Sequence, residues 1–321
     1  MSDESFMTQA LALASEVLGA VGPNPRVGCV LVAPDGTVVG RGAHLGAGTP
    51  HAEAVALDDA GDAARGATAY VTLEPCNHYG RTPPCAQALI DAGVAAVRYA
   101  IPDPTTSAGG AQTCRRAGMD VAQGPLSDEA AEFLEPWLFA VTHHRPFVTC
   151  KIASTLDGYI AAADGSSRWI TGPQARTWVQ GLRAQVDAIA VGAGTYRVDD
   201  PALTVREFPV VSQPRRYVLG DVAAADGFEV LPGRDVHAAL QRMYEDGVRH
   251  LLLEGGATVV AAFLAAGFVD DLVWFTAPKM LGAGTPAVAD LGVSTIEDAL
   301  VWQMSDVQRV GDDVMIRSRR R

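Results

Sequence analysis

Short runs of apolar residues with a period near two alternate along the chain with longer stretches of period near 3.6, so strands and helices take turns. The Val-rich runs 27–33 and 37–42 flank Pro34-Asp35-Gly36 and predict a β-hairpin. Around it the periodicity predicts helices over 4–19, 51–60, 83–92, 109–117 and 127–144, with strands over 69–73, 95–101 and 119–122. Arg145-Pro146 then opens a new strand at 147–153, which places a domain boundary near residue 145 and divides the chain into 1–145 and 146–321. The second part repeats the alternation, with strands 188–192, 250–253 and 270–277 and helices 173–184, 236–246 and 257–266. Such alternation predicts an α/β fold in both parts, the first a three-layer domain around a mainly parallel sheet. No internal repeat is visible.

A chain of 321 residues suits two domains, and 48% apolar against 19% charged residues implies that both are folded. The net charge of -12 repels a nucleic-acid backbone, which favours a small-molecule substrate and no nucleic-acid partner. Arg317, Arg319, Arg320 and Arg321 read as a short solvated basic tail. No run approaches the ~18 apolar residues of a membrane helix, and the acidic opening precedes no apolar leader, so the expectation is a cytoplasmic protein with no membrane partner. Five cysteines do not make a disulfide framework. Cys29, Cys114 and Cys150 read as buried thiols, with a bond between Cys114 and Cys150 left open.

The chemistry concentrates in His51-Ala52-Glu53, Pro75-Cys76 and Cys85. An imidazole and two thiolates are zinc ligands that leave a fourth position open for water, and Glu53 is a carboxylate placed to move that water's proton. The predicted helices put His51 and Glu53 at the opening of one and Cys76 and Cys85 around the opening of the next, where helix dipoles favour anions. The pattern H-x-E with P-C-x-x-C belongs to zinc deaminases of amino-bearing rings, but here eight residues separate the cysteines. A structural zinc in a non-enzymatic assembly protein is the other reading of the same ligands. In the second part, Leu253-Glu254-Gly255-Gly256 and Gly192-Ala193-Gly194-Thr195 follow strands and are either phosphate cradles or ordinary tight turns.

Longer strings narrow this. Pro23-Asn24-Pro25-Arg26-Val27-Gly28-Cys29, His51-Ala52-Glu53 and the run from Thr72 through Pro75-Cys76 to Pro84-Cys85 stand in the first part. Lys151-Ile152-Ala153, Leu156-Asp157-Gly158, Trp169-Ile170-Thr171, Leu182-Arg183-Ala184, the run from Asp199 to Arg206, and Glu254-Gly255-Gly256 stand in the second. On these strings the chain resembles, over nearly its full length, the bifunctional deaminase/reductase family of riboflavin biosynthesis. The resemblance implies a cytidine-deaminase-like domain followed by a dihydrofolate-reductase-like domain, and the cofactors Zn²⁺ and NADPH. It also accounts for the wide cysteine spacing, which is characteristic of that family. The implied reactions are deamination of 2,5-diamino-6-(5-phosphoribosylamino)pyrimidin-4(3H)-one and then reduction of its ribosyl group to ribityl.

By position, the resemblance makes His51, Cys76 and Cys85 the metal ligands and Glu53 the catalytic acid–base. Asn24 would orient the ring or ribose, and His78 and Arg81, in the loop between the cysteines, would reach the sugar phosphate. Ala153, Trp169, Thr195, Asp199, Gly256, Ala257 and Thr258 would touch the cofactor. Lys151, Ser167, Arg183, Leu203, Arg206 and Glu254 would touch the second substrate, although Trp169 could be core, Arg183 could only pair with a carboxylate and Asp199 could only cap a turn. Three stretches depart from the family: Asp103-Pro104-Thr105 replaces a D-P-N-P run, 216–251 is short, and Gly284-Thr285-Pro286 after Lys279-Met280-Leu281-Gly282 keeps only the family's general sense. The short stretch keeps a second reading alive, a deaminase whose second part only binds or dimerises. Family members commonly self-associate through the reductase domain, so a homodimer is expected.

Overall fold

Pro34-Asp35-Gly36 turns the chain as its residue types require. In the computed structural model, which describes residues 2–79 and 83–320, α1 (Asp3–Glu16) leads into β1 (Gly28–Val32) and β2 (Val38–Ala43), which pair antiparallel across that turn. The first helix is capped by the Ser2 hydroxyl, which accepts from the Ser5 amide, and carries Asp3 and Glu4 in its first turn. It stops three residues short of the predicted end, where Val17 becomes extended. Then follow α2 (Ala52–Ala60), β3 (Thr68–Leu73), α3 (Cys85–Asp91), β4 (Ala96–Ile101), α4 (Gly110–Arg116), β5 (Asp120–Gln123) and α5 (Ser127–His143).

The sheet order is β2-β1-β3-β4-β5. β2, β3, β4 and β5 all run in one direction, as a mainly parallel sheet requires, and the one reversed strand is β1, which is antiparallel to both neighbours. The hairpin causes this, because β3 returns by way of α2 in the direction of β2 but settles on the far side of β1. A Cβ at Gly42 would overlap the Ala52 carbonyl, so glycine there lets α2 lie directly on β2 and fixes where His51 and Glu53 emerge. Residues of α1, β1, β3 and β4, including Met7, Leu31, Val71 and Val97, form the buried core.

The chain divides into two units, Met1–His143 and His144–Arg321. The second contains β6 (Phe147–Thr155), β7 (Tyr159–Ala162), α6 (Pro173–Arg183), β8 (Ala188–Gly192), α7 (Ala193–Asp199), β9 (Arg215–Leu219) and β10 (Glu229–Leu231). It continues with α8 (Val236–Glu245), β11 (His250–Leu253), α9 (Ala257–Ala265), β12 (Asp271–Ala277), β13 (Gly284–Pro286), β14 (Trp302–Val310) and β15 (Asp313–Arg320). The large sheet runs β10-β9-β8-β11-β6-β12-β15-β14, parallel as far as β12 and closed by an antiparallel hairpin. The short stretch 216–251 therefore still supplies two parallel strands and a helix.

Two readings are corrected here. Arg317, Arg319 and Arg320 are not a solvated tail but part of β15; Arg321 lies outside the described residues. The Asp271 side chain is wholly buried, and Arg317 Nη2 and Arg319 Nε approach its carboxylate at 2.9 and 3.4 Å. A buried carboxylate without a cation would be costly, and this strand supplies two. Gly192-Ala193-Gly194-Thr195 is likewise not a turn but the start of α7. All five cysteines are free and buried, so no Cys114–Cys150 bond exists. Burial pushes the Cys114 and Cys150 thiols up to about 11 and about 12, leaving them inert.

Candidate active site

His51 is the N-cap of α2 and Cys85 the first residue of α3, so the openings of two helices deliver both to one spot, with Cys76 on the connection from β3. His51 Nδ1 lies 3.5 Å from Cys76 Sγ and 3.3 Å from Cys85 Sγ, and the three donor atoms all fall within 4.8 Å of one another. Zinc bonds of about 2.3 Å to sulfur and about 2.0 Å to nitrogen put tetrahedral ligands roughly 3.6 Å apart, so the two separations from His51 suit Zn²⁺. The Cys85 amide donates to Cys76 Sγ at 3.3 Å. The Cys85 hydrogen bond and the His51 imidazole pull the Cys76 thiol down, while its partner Cys85 is pushed up by Cys76 and by burial. Glu53 is 4% exposed, and burial raises its carboxyl to about 7, the range of a group that takes and returns a proton at neutral pH.

A cavity of about 470 Å³ opens over these groups, and Asn24 and His78 line it as the sequence reading placed them. His78 is exposed; Arg81 lies outside the described residues. The sequence reading missed His44. Its Nδ1 faces the Pro50 carbonyl at 2.9 Å, which can only accept, so Nδ1 carries the proton and Nε2 accepts from Asn24 Nδ2 at 2.9 Å. That leaves the Asn24 carbonyl oxygen as the acceptor offered to a ligand. Burial lowers His44, keeping it neutral. Glu74 was also missed: Oε1 accepts from the Gly109 and Ala111 amides at 3.1 and 3.0 Å and Oε2 from the Asp103 amide at 3.3 Å. It pins the departing loop 103–111 as one wall of the cavity. His44 stands in no pattern that single-sequence reading could flag, and Glu74, though it lies in the run from Thr72 to Cys85, carries no sign there of its backbone partners.

In the second unit the predicted residues gather at the carboxyl ends of the parallel strands, beside the gap where β8 leads outward to β9 while β11 lies on its other side, the usual ligand position in such sheets. Thr195, Asp199, Gly256, Ala257 and Thr258 line a hollow of about 1100 Å³. Lys151, Ala153, Trp169, Arg183, Leu203, Arg206 and Glu254 line another of about 710 Å³. Ser167, Thr195, Asp199 and Gly256 border both, so the two are halves of one cleft. Trp169 is not core: it is 61% exposed, with the Arg176 guanidinium 4.5 Å from its ring centre. Leu203 is the buried one, at 2%.

Arg183 Nε and Nη2 grip Glu254 at 2.6 and 2.8 Å, and Lys151 Nζ stands 3.9 Å from the same carboxylate. Burial alone would raise Glu254, but Arg183, Lys151 and Arg206 hold it down at about 2. The Arg206 guanidinium makes no hydrogen bond or ion pair among the described residues. Its fork is free, whereas that of Arg183 is spent.

Residues 1–101 match the cytidine and deoxycytidylate deaminase zinc-binding region, and residues 146–316 match the RibD C-terminal domain. Riboflavin biosynthesis protein RibD of Mycobacterium tuberculosis is 43% identical, over 98% of this chain and 96% of its own. The chain belongs to the RibD family. Riboflavin biosynthesis protein RibD of Aquifex aeolicus is 38% identical over 98% and 97% of the two chains. Acinetobacter baumannii RibD superposes with a TM-score of 0.91 at 37% identity, covering 99% and 98%. With both halves matched, the chain is a bifunctional deaminase and reductase of riboflavin biosynthesis using Zn²⁺ and NADPH, and the reading as a deaminase with an inert second part is set aside.

Proposed function

We propose that the first unit deaminates 2,5-diamino-6-(5-phosphoribosylamino)pyrimidin-4(3H)-one and that the second reduces the ribosyl group of the product to ribityl. A solved Thermotoga maritima relative, 34% identical with a TM-score of 0.89, is titled as a deaminase of the diaminohydroxyphosphoribosylaminopyrimidine and a reductase of 5-amino-6-(5-phosphoribosylamino)uracil. The observation that carries the reading is the His51, Cys76, Cys85 donor triangle beside a buried carboxyl poised near 7.

His51, Cys76 and Cys85 hold the metal. When bound, Zn²⁺ supplies the Lewis acidity that makes a water nucleophilic at neutral pH. Glu53 takes the proton of the attacking water, returns it to the ring nitrogen and then moves a second proton to the departing amine, so that ammonia leaves. Asn24, its amide set by His44, offers an acceptor to the ribose or ring, and His78 borders the cavity where the phosphate would sit; Arg81, outside the described residues, is proposed for the same phosphate from the resemblance alone. In the second unit, Ala153, Trp169, Thr195, Asp199 and Gly256–Thr258 would hold the cofactor, and the free amides at the α9 N-terminus would suit an anionic group. When bound, NADPH supplies the hydride. Glu254 stays ionised at neutral pH and accepts from ring N–H groups, Arg183 and Lys151 orient it, Ser167 and Leu203 border the ring, and Arg206 takes the phosphate.

Domains divided near 145, a homodimer through the second unit and residence in the cytoplasm belong to the same reading. No described helix is long and apolar enough to cross a membrane. The deciding experiment incubates purified, zinc-loaded protein with the diamino substrate, then adds NADPH. Ammonia release followed by NADPH oxidation and a ribityl product by mass spectrometry is expected; a protein that releases no ammonia contradicts the first assignment, and one that never oxidises NADPH contradicts the second.

A further inference from the structure

We propose that Arg197 and Arg234 form the clamp that selects NADPH by its 2′-phosphate, at the far end of the reductase cleft. The inference rests on the reductase reading and names what chooses between the two nicotinamide cofactors. β9 ends at Leu219 on the carboxyl edge of the sheet, and Gly220-Asp221 follow. In dinucleotide folds an acidic residue past a neighbouring strand accepts from the 2′-hydroxyl of the adenosine ribose, while a 2′-phosphate is met by arginine instead. Here an acidic residue stands at such a strand end, but two guanidinium-bearing residues border the same place.

Arg197, on α7, donates from Nη2 to the Asp221 carbonyl at 2.7 Å. Arg234 is brought alongside by a close backbone crossing. The Gly220 amide donates to the Leu231 carbonyl at 2.9 Å, and a Cβ at Gly233 would come within 2.9 Å of the Gly220 Cα, so only glycine permits the approach. Arg197, Asp221 and Arg234 all line the 1100 Å³ hollow that Thr195 and Gly256 also border. Both arginines are exposed, and neither pairs with a carboxylate among the described residues. The arginines built into the structure behave differently: Arg183 is spent on Glu254 and Arg215 on Glu229. Two guanidinium groups without a carboxylate partner among the described residues, Arg197 anchored by one donor on the Asp221 carbonyl, border one dinucleotide-sized hollow and match a dianionic phosphate, and their two charges outweigh the single charge of Asp221.

The test measures KM for NADPH and for NADH with the deaminated substrate, in the full chain and in Arg197→Ala, Arg234→Ala and the double variant. Each single substitution is expected to lower the preference for NADPH about tenfold, through its KM, with the KM for NADH unmoved. Arg234→Lys should recover part of the preference. Binding of adenosine 2′,5′-bisphosphate against adenosine 5′-monophosphate, measured by titration calorimetry, reads the same clamp without turnover, and its selectivity should fall in parallel. A preference unchanged in the double variant, or a parent protein that uses both cofactors equally well, overturns the clamp while leaving the reductase standing. A parent that oxidises neither cofactor overturns both.

Discussion

Glu254, just past β11, accepts two hydrogen bonds from Arg183, at the end of α6, at 2.6 and 2.8 Å, and both side chains are nearly buried, 8% and 12% exposed. The pair ties the floor of the substrate half of the cleft to the helix beside it. Breaking a buried pair from one side leaves an uncompensated charge, which costs about 3–5 kcal/mol. Glu254→Gln should therefore lower the unfolding free energy by about that much at pH 7, read from urea midpoints. The pH dependence follows from the depressed carboxyl, about 2 in the folded chain against an ordinary 4.5. A depressed acid stabilises the fold fully above its unfolded value and loses that contribution as pH falls toward the folded value. The gap between parent and Glu254→Gln should thus be constant above pH 4.5 and shrink by about 1.4 kcal/mol per pH unit below it. A gap that widens on acidification would contradict the assignment.

Glu53→Gln should cut ammonia release by about 10²–10⁴-fold while zinc content, measured by metal analysis, stays near one per chain. The amide keeps the shape of the side chain but cannot carry the proton. NADPH oxidation with the deaminated substrate should persist, since the reductase residues lie in the other unit. Loss of zinc in this variant would instead make Glu53 a structural support of the metal.

Chelation of zinc should abolish ammonia release and spare the reductase step, and Cys76→Ser or Cys85→Ser should reproduce the effect without chelator. Of three donors spaced 3.3 and 3.5 Å about His51 Nδ1, removal of one leaves too few ligands for a tight site. A variant that holds stoichiometric zinc with full activity would remove that cysteine from the ligand set.

The zinc triangle was legible because its residues sit in short, chemically exclusive strings, His51-Ala52-Glu53 and Pro75-Cys76, at helix openings that periodicity also predicts. The Arg183–Glu254 pair was not legible as a pair: each residue suggested a ligand contact, but they meet across 71 positions of sequence through the sheet order. His44 and Glu74 were invisible for the same reason, since their roles consist of backbone partners brought in by folding. The missed hairpin β14–β15 fails differently. Residues in β14 are mostly exposed and β15 carries arginines, so neither shows the apolar runs that marked β8 and β11. What makes β15 a strand is its pairing with β12 and the buried Asp271.

Asp271→Ala should accordingly destabilise the second unit by about 3 kcal/mol or more, because it leaves Arg317 and Arg319 without the carboxylate that β15 packs around. Denaturant unfolding reads this directly, and a change below about 0.5 kcal/mol, as for a surface substitution, would restore the picture of a dispensable basic end.

Arg206 offers the sharpest separation of phosphate binding from ring binding. Its guanidinium makes no hydrogen bond or ion pair among the described residues and is exposed on the wall of the substrate half, while Arg183 on the same wall is committed to Glu254. If Arg206 takes the phosphate, Arg206→Ala should lower kcat/KM for the phosphorylated substrate about tenfold to a hundredfold, and should barely change it for the same compound without its phosphate. Arg206→Lys should restore part of the loss, since lysine keeps the charge but presents no planar fork to two oxygens. Equal losses with both compounds would mean that Arg206 shapes the cleft through its effect on Glu254, and the phosphate would have to be assigned to another group lining the same hollow.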